Sequence, residues 1–222
     1  MNHYFNLYLP TERMYQNIMN TLTYENLHET KKHVSIQFPY NTYLCSIPLD
    51  FTQVPLHWHK DVEIIVIKKG CGIISVDTEP KVVKAGDIIL VRPGQLHSIA
   101  QHGKDRMEYE NILFQTSLLY SDDSDPCTVG YFHPYFSLEY ELPWLFDDSF
   151  SCHQELSSCI ETIDQLCSRK PHYYELSVKG HLFHFFYLLF SSQEAPVTFN
   201  RSKSLEKVKQ IVSYIELHYA EE

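Results

Sequence analysis

Three histidines and one carboxylate offer the clearest chemistry in this sequence. In HWHKDVEIIVIKKG, residues 57–70, His57 and His59 stand two apart, and Glu63 follows at an even spacing. Side chains alternate across an extended strand, so these three share one face. His97 closes a second block, GDIILVRPGQLH, residues 86–97. Three imidazoles and a carboxylate make a ligand set for iron, manganese, nickel or zinc. The same four groups also suit a pocket in which they hydrogen-bond an organic ligand or one another. Spacing alone leaves both readings open.

Other polar groupings are weaker. His181 and His184 lie one helical turn apart among aromatic residues and read as packing side chains. Cys71 sits beside a glycine turn with no basic pattern to lower its pKa, and reads as inert. Asp122, Asp123 and Asp125 open like a calcium loop, but the required Gly and terminal Glu are missing, which leaves a solvated loop. The six cysteines form no Cys-x-x-Cys pair, which argues against a structural zinc site or a redox motif. Cys152, Cys159 and Cys167 recur at helical spacing and read as small buried residues.

The elements that must bring the two histidine blocks together read as strands. Short apolar, β-branched runs occur at 43–47, 62–68, 73–76, 81–83, 88–91, 97–100 and 108–114. KKGCG, DTEP, KAGD and RPG supply turns between them. Five of the seven glycines, Gly70, Gly72, Gly86, Gly94 and Gly103, fall in this stretch. Closely spaced strands with regular turns predict a sandwich or barrel over residues 40–148. Residues 1–39 read as a polar arm, with 11–31 free of Pro and Gly and able to form helix. PYFSLEYELPW alternates in part and predicts one more strand.

After residue 150 the period becomes helical, and residues 149–194 form a two-helix segment. Cys152, Leu156, Cys159, Ile160, Ile163, Leu166 and Cys167 make one stripe, with Ser151 as N-cap and Pro171 as terminator. The second helix, from about Tyr174 to Phe190, contains HLFHFFYLLF and is apolar nearly all round. One barrel wall covers only one side of such a helix, so the remainder predicts a homodimer. A third helix begins near Ser204, with Leu205, Val208, Ile211, Val212, Ile215 and Tyr219 on one face. The chain stops at Glu222 with nothing for that face to pack on, which points to truncation.

The two histidine blocks resemble the paired signature motifs of the cupin superfamily. His57, His59, Glu63 and Gly70 match His-x-His-x3-Glu-x6-Gly without a gap, and Gly86, Gly94 and His97 match the second motif. Arg92 stands where the second motif has a proline, and its guanidinium fork would grip an anionic effector or form a surface ion pair. The string SLEKVKQIVSYIELHYAEE at 204–222 resembles the first helix of the DNA-binding domain in AraC-type transcription regulators. That resemblance implies a mainly β fold, a cupin (double-stranded β-helix) barrel followed by an α-helical dimerisation segment. It also implies that 203–222 begin a helix-turn-helix domain otherwise missing from this chain.

The family's barrels commonly bind small effectors without metal, so the resemblance implies an effector site at His57, His59, Glu63, Arg92 and His97. The effector is a sugar by analogy. No cofactor is expected, and a divalent transition metal on His57, His59, Glu63 and His97 is the exception to test for. The competing reading is a metal-dependent cupin enzyme, a dioxygenase or isomerase, using those four ligands. A net charge of −10 repels phosphate, so DNA would be bound only through the missing domain. There is no signal-peptide pattern and no apolar run of spanning length, which predicts a cytoplasmic, membrane-free protein.

Overall fold

A computed structural model describes residues 24–192 and 197–198. Glu29–Phe199 forms one compact unit. Of the second unit the described part is Tyr24–His28, with a 3-10 turn at Tyr24–Leu27, so most of the helix expected at 11–31 lies outside the described residues. The third helix expected after Ser204 lies outside them as well.

The strands are β1 (Tyr40–Ile47), β2 (Gln53–His57), β3 (Val62–Val76), β4 (Glu79–Lys84), β5 (Ile88–Val91), β6 (His97–Gln101) and β7 (Met107–Phe114). Two-residue strands β8 (Tyr140–Glu141), β9 (Leu145–Phe146) and β10 (Val197–Thr198) follow. One sheet runs β1-β7-β3-β5-β9, and in the other β4 and β6 flank β3 while β2 pairs with β6. Every pairing among these strands is antiparallel. The long strand β3 belongs to both sheets and joins them into a barrel.

KKGCG, expected as a turn, is instead the middle of β3. A bulge between Ile67 and Lys69 absorbs the extra residue and bends the strand from one sheet into the other. The bulge also flips the alternation. Before it, Ile65 and Ile67 face the space between the sheets; after it, Ile74 and Val76 do. Gly70 is obligatory there: its φ is +74°, and a Cβ would lie 1.8 Å from the carbonyl oxygen of Arg106.

The opposite face of the first sheet packs on helices. Val62, Ile64, Leu90, Ile112 and Phe114 meet α2 (His153–Arg169) and α3 (Tyr174–Ser191) in one apolar cluster. Helix α2 starts without a side-chain cap: its N-cap is Cys152, one residue past the expected Ser151. It ends at Lys170, whose left-handed φ of 44° lets its N–H close on Leu166, and Pro171 follows. PYFSLEYELPW is mostly not a strand. Thr128–Phe132 forms a π-helical turn that runs into α1 (His133–Phe136), and their aromatic rings plug the end of the helix layer.

Candidate functional site

His57 ends β2, His97 opens β6, and the two are paired residues across that ladder. His59 lies two residues beyond β2, in the connection to β3. Glu63 faces the barrel interior because it shares the parity of Ile65 and Ile67. The rings converge, with centroids 4.1 Å apart for His57 and His97, 4.9 Å for His59 and His97, and 5.8 Å for His57 and His59. His97, Glu63 and His59 are buried.

Backbone carbonyls set the tautomers. Nδ1–H of His57 donates to Pro55 at 2.8 Å, that of His59 to Asp61 at 3.0 Å, and that of His97 to Gln95 at 3.0 Å. Each ring therefore turns its Nε2 inward. The Nε2 of His59 lies 2.9 Å from Glu63 Oε2, and an ionised carboxylate only accepts, so this Nε2 also carries a proton. His59 is thus held as an imidazolium: burial pushes its pKa down, but the hydrogen bond and charge of Glu63 outweigh it and the net shift is upward. Burial pushes Glu63 up, yet the hydrogen bond of His59 and the close approach of His97 hold it well below the usual carboxylate range. His57 goes the other way, lowered by burial and by the neighbouring His97.

A divalent metal fits these residues. The ligand nitrogens of His57, His59 and His97 lie within 4.8 Å of one another. His97 Nε2 is buried 3.0 Å from Glu63 Oε2 without a well-aligned hydrogen bond to it. Carbonyl anchoring of the outer nitrogen is the support that metal-bound histidines use. A metal on three Nε2 atoms and Glu63 would supply a Lewis acid at the cavity wall.

The cavity beside the cluster has a volume of about 370 Å³ and is lined by His57, His59 and Glu63 together with Tyr43, Gln53 and Asn111. Glu29, Lys31 and His33, from the segment before β1, also line it. Glu29 sits 2.9 Å from His33 and 3.5 Å from His57, and His33 together with burial and the two barrel histidines sets its net downward pKa shift. Sequence reasoning missed these three because a polar arm carries no periodicity. Asn111 had a legible signal, a polar residue at an inward position of an apolar strand.

Arg92 does not join the cluster. It is buried, donates to Gln95 Oε1 at 3.2 Å and to the Tyr135 carbonyl at 3.2 Å, and lies 5.0 Å over the Tyr135 ring. It is not among the residues that line the cavity; it ties the β5–β6 turn to α1. Asp122 and Asp125 take up hydrogen bonds from Ser124 and Thr128 within their own loop.

Residues 50–122 match the family model described as the AraC-like ligand binding domain. Over 204 residues the chain is 23% identical to an uncharacterized HTH-type transcriptional regulator, YdeC, of Bacillus subtilis, covering 89% of this chain and 67% of that protein. A solved cupin protein from Bacteroides fragilis is 23% identical over 41% of this chain and 76% of its own, with a TM-score of 0.33. The cupin domain of Cnp3 from Schizosaccharomyces pombe is 13% identical over 41% of this chain and 70% of its own, with a TM-score of 0.34. The family model and the curated relative point to a ligand-binding domain of a transcription regulator, not to an enzyme. Among the described residues, no helix is long and apolar enough to cross a membrane. His57, His59, Glu63 and His97 all lie inside the stretch that matches the AraC-like ligand binding domain model.

Proposed function

We propose that this chain is the effector-binding and dimerisation region of a bacterial transcription regulator, with a small polar effector bound in the barrel cavity. The observation that carries this is the cavity itself. Imidazole, carboxylate, carboxamide and phenol groups line it, and Glu29 from the preceding segment lies 3.5 Å from His57. Such a mixed set of donors and acceptors suits a sugar-like polyol, whose hydroxyls do both. An effector that competes for His57 would release Glu29 and bias the segment that carries it, which is a population shift between two arrangements. Homodimerisation follows from α3, where Leu176, Phe183 and Tyr187 recur at i, i+7 and i+11 and remain exposed. DNA would be reached through a domain beyond this chain, because a chain of net charge −10 repels the duplex.

A second reading is favoured by the buried His97 Nε2, which turns toward Glu63 and the other two rings without a well-aligned hydrogen bond: a divalent metal, rather than the effector alone, sits on the histidines. One experiment tests both. Thermal unfolding is followed with a panel of mono- and disaccharides, with and without chelator, and light scattering is run on the same samples. The expected result is a dimer whose melting temperature rises with at least one sugar, with or without chelator, and does not rise in Asn111→Ala. A rise abolished by chelation selects the metal reading. A rise that survives Asn111→Ala at full size removes the cavity as the site, and a monomer at tens of micromolar removes the dimer.

A further inference from the structure

The bulge in β3 has a consequence on the outer surface of the barrel. Past it, Ile74 and Val76 face inward, so Cys71 faces out. There it meets the turn between β6 and β7. Its Sγ is 3.1 Å from Asp105 Oδ2 and 3.8 Å from His102 Nδ1, and those two atoms are 3.0 Å from each other. We propose that Cys71, His102 and Asp105 form a surface binding site for a zinc-class divalent cation, with its fourth position open to solvent.

The triangle has the right size. A tetrahedral zinc with bonds of about 2.0–2.3 Å holds its ligand atoms about 3.4–3.6 Å apart. The three separations bracket that range, and small rotations of exposed side chains reach it. The charge also balances. A thiolate, a carboxylate and a neutral imidazole carry two negative charges, which one divalent cation neutralises. Without a cation, the thiol and the imidazole N–H both point at one carboxylate oxygen, and each proton occupies a direction that a metal would take. On binding, the thiol proton passes to solvent, the imidazole proton moves from Nδ1 to Nε2 by exchange with water, and the metal takes both places. Sulfur with nitrogen and oxygen favours zinc or cobalt over magnesium or calcium.

The ligands stand on a firm frame. Cys71 N–H donates to the Arg106 carbonyl at 3.2 Å, Asp105 N–H to the His102 carbonyl at 2.9 Å, and the Gln101 carboxamide to the Asp105 carbonyl at 2.9 Å. Gly103, with φ +57°, allows the tight turn that folds Asp105 back onto His102. His102 and Asp105 are 44% and 55% exposed, which leaves room for a water or a fourth ligand. The site shares no residue with the interior histidines and lies about 16 Å of strand further along β6 from His97. A cation here would clip β3 to the β6–β7 turn.

The test uses the purified chain and cobalt(II) alone as probe, because a cobalt–thiolate bond gives a charge-transfer band in the near ultraviolet. The expected result is such a band saturating near one equivalent and displaced by zinc(II). It should be absent in Cys71→Ser and at least tenfold weaker in affinity in His102→Gln and in Asp105→Asn. Cys45→Ser, which removes the thiol beside the interior cavity, should keep it. No thiolate band, or a band that survives Cys71→Ser, overturns the proposal.

Discussion

The barrel has two cores, one on each face of its first sheet, and they are built on opposite rules. The outer core between sheet and helices is closed with rings: Phe114, Phe132, Tyr135, Phe136, Phe185 and Phe186 are all buried there. The inner core is aliphatic at one end, with Ile47, Ile65, Ile67, Ile74 and Ile89, and gives way at the other to an ionised histidine–glutamate cluster and a cavity. Strand β3 feeds both, with Ile64 outward and Glu63 inward. One face is packed for stability, and the other gives up packing to keep space and charge for a ligand.

The largest expected effect falls on the outer core. Phe186 is fully buried, with ring centroids 5.4 Å from Phe136 and 5.6 Å from Phe132. Phe186→Ala should cost about 4 kcal/mol by cavity formation, read by urea unfolding. A loss below about 1 kcal/mol would mean the helix layer collapses onto the gap and the two cores differ less than their rings suggest. Phe186 is therefore unsuited to serve as a dimer contact, and the leftover face of α3 is Leu176, Phe183 and Tyr187.

A smaller effect is expected inside. Glu63→Gln removes the charge that holds His59 protonated, and should cost about 2 kcal/mol where both groups are ionised. The sign is fixed by the two shifts. Glu63 is lowered from 4.5, so its stabilisation is full above pH 4.5 and lost as pH falls through the folded value. His59 is raised from 6.5, so its stabilisation is full below pH 6.5 and lost as pH rises through the folded value. Stability of the chelated protein should therefore peak between those limits, and Glu63→Gln should flatten the peak. An unchanged pH profile would mean the pair is neutral.

The smallest effect lies where the sheet meets α2. Asp164 shares Lys68 with Glu110, at 3.3 Å and 2.6 Å respectively, and its Oδ1 is buried without a partner. Burial and then the charge of Glu110 push its pKa up from 3.8 to about 6. An acid raised on folding favours the native state below its unfolded pKa and loses that advantage as pH rises through the folded one. Asp164→Asn should therefore stabilise the protein at pH 7 by about 1 kcal/mol, allowing for solvent screening of a partly exposed group. It should also remove the decline between pH 4 and pH 6. A destabilised variant would show that Lys68 needs both carboxylates.

Much of the barrel was legible because its signals are local. The run 88–91 is a strand at the predicted bounds, and His57, Glu63 and His97 meet as their parity and the two motifs implied. The continuous burial at 62–65 comes from the fold, which covers that strand on both faces. KKGCG failed because two glycines and two lysines are turn chemistry, yet here one glycine serves a bulge inside an unbroken ladder. Ser151 failed as a cap because the helix starts one turn position later, with His153 held by the Gly86 carbonyl from another element.

The sequence by itself determined the strand-rich barrel, the two helices and the inward set of His57, His59, Glu63 and His97, because side-chain period and motif spacing act within a few residues. Only the tertiary structure decided where Arg92 points, which arm residues line the cavity, and that Cys71 meets His102 and Asp105. Arg92 is held by a carbonyl 43 residues away, and Cys71 meets His102 across a separation of 31. Contacts at that range depend on sheet register and on a single bulge, and neither leaves a periodic trace in the residues that make them.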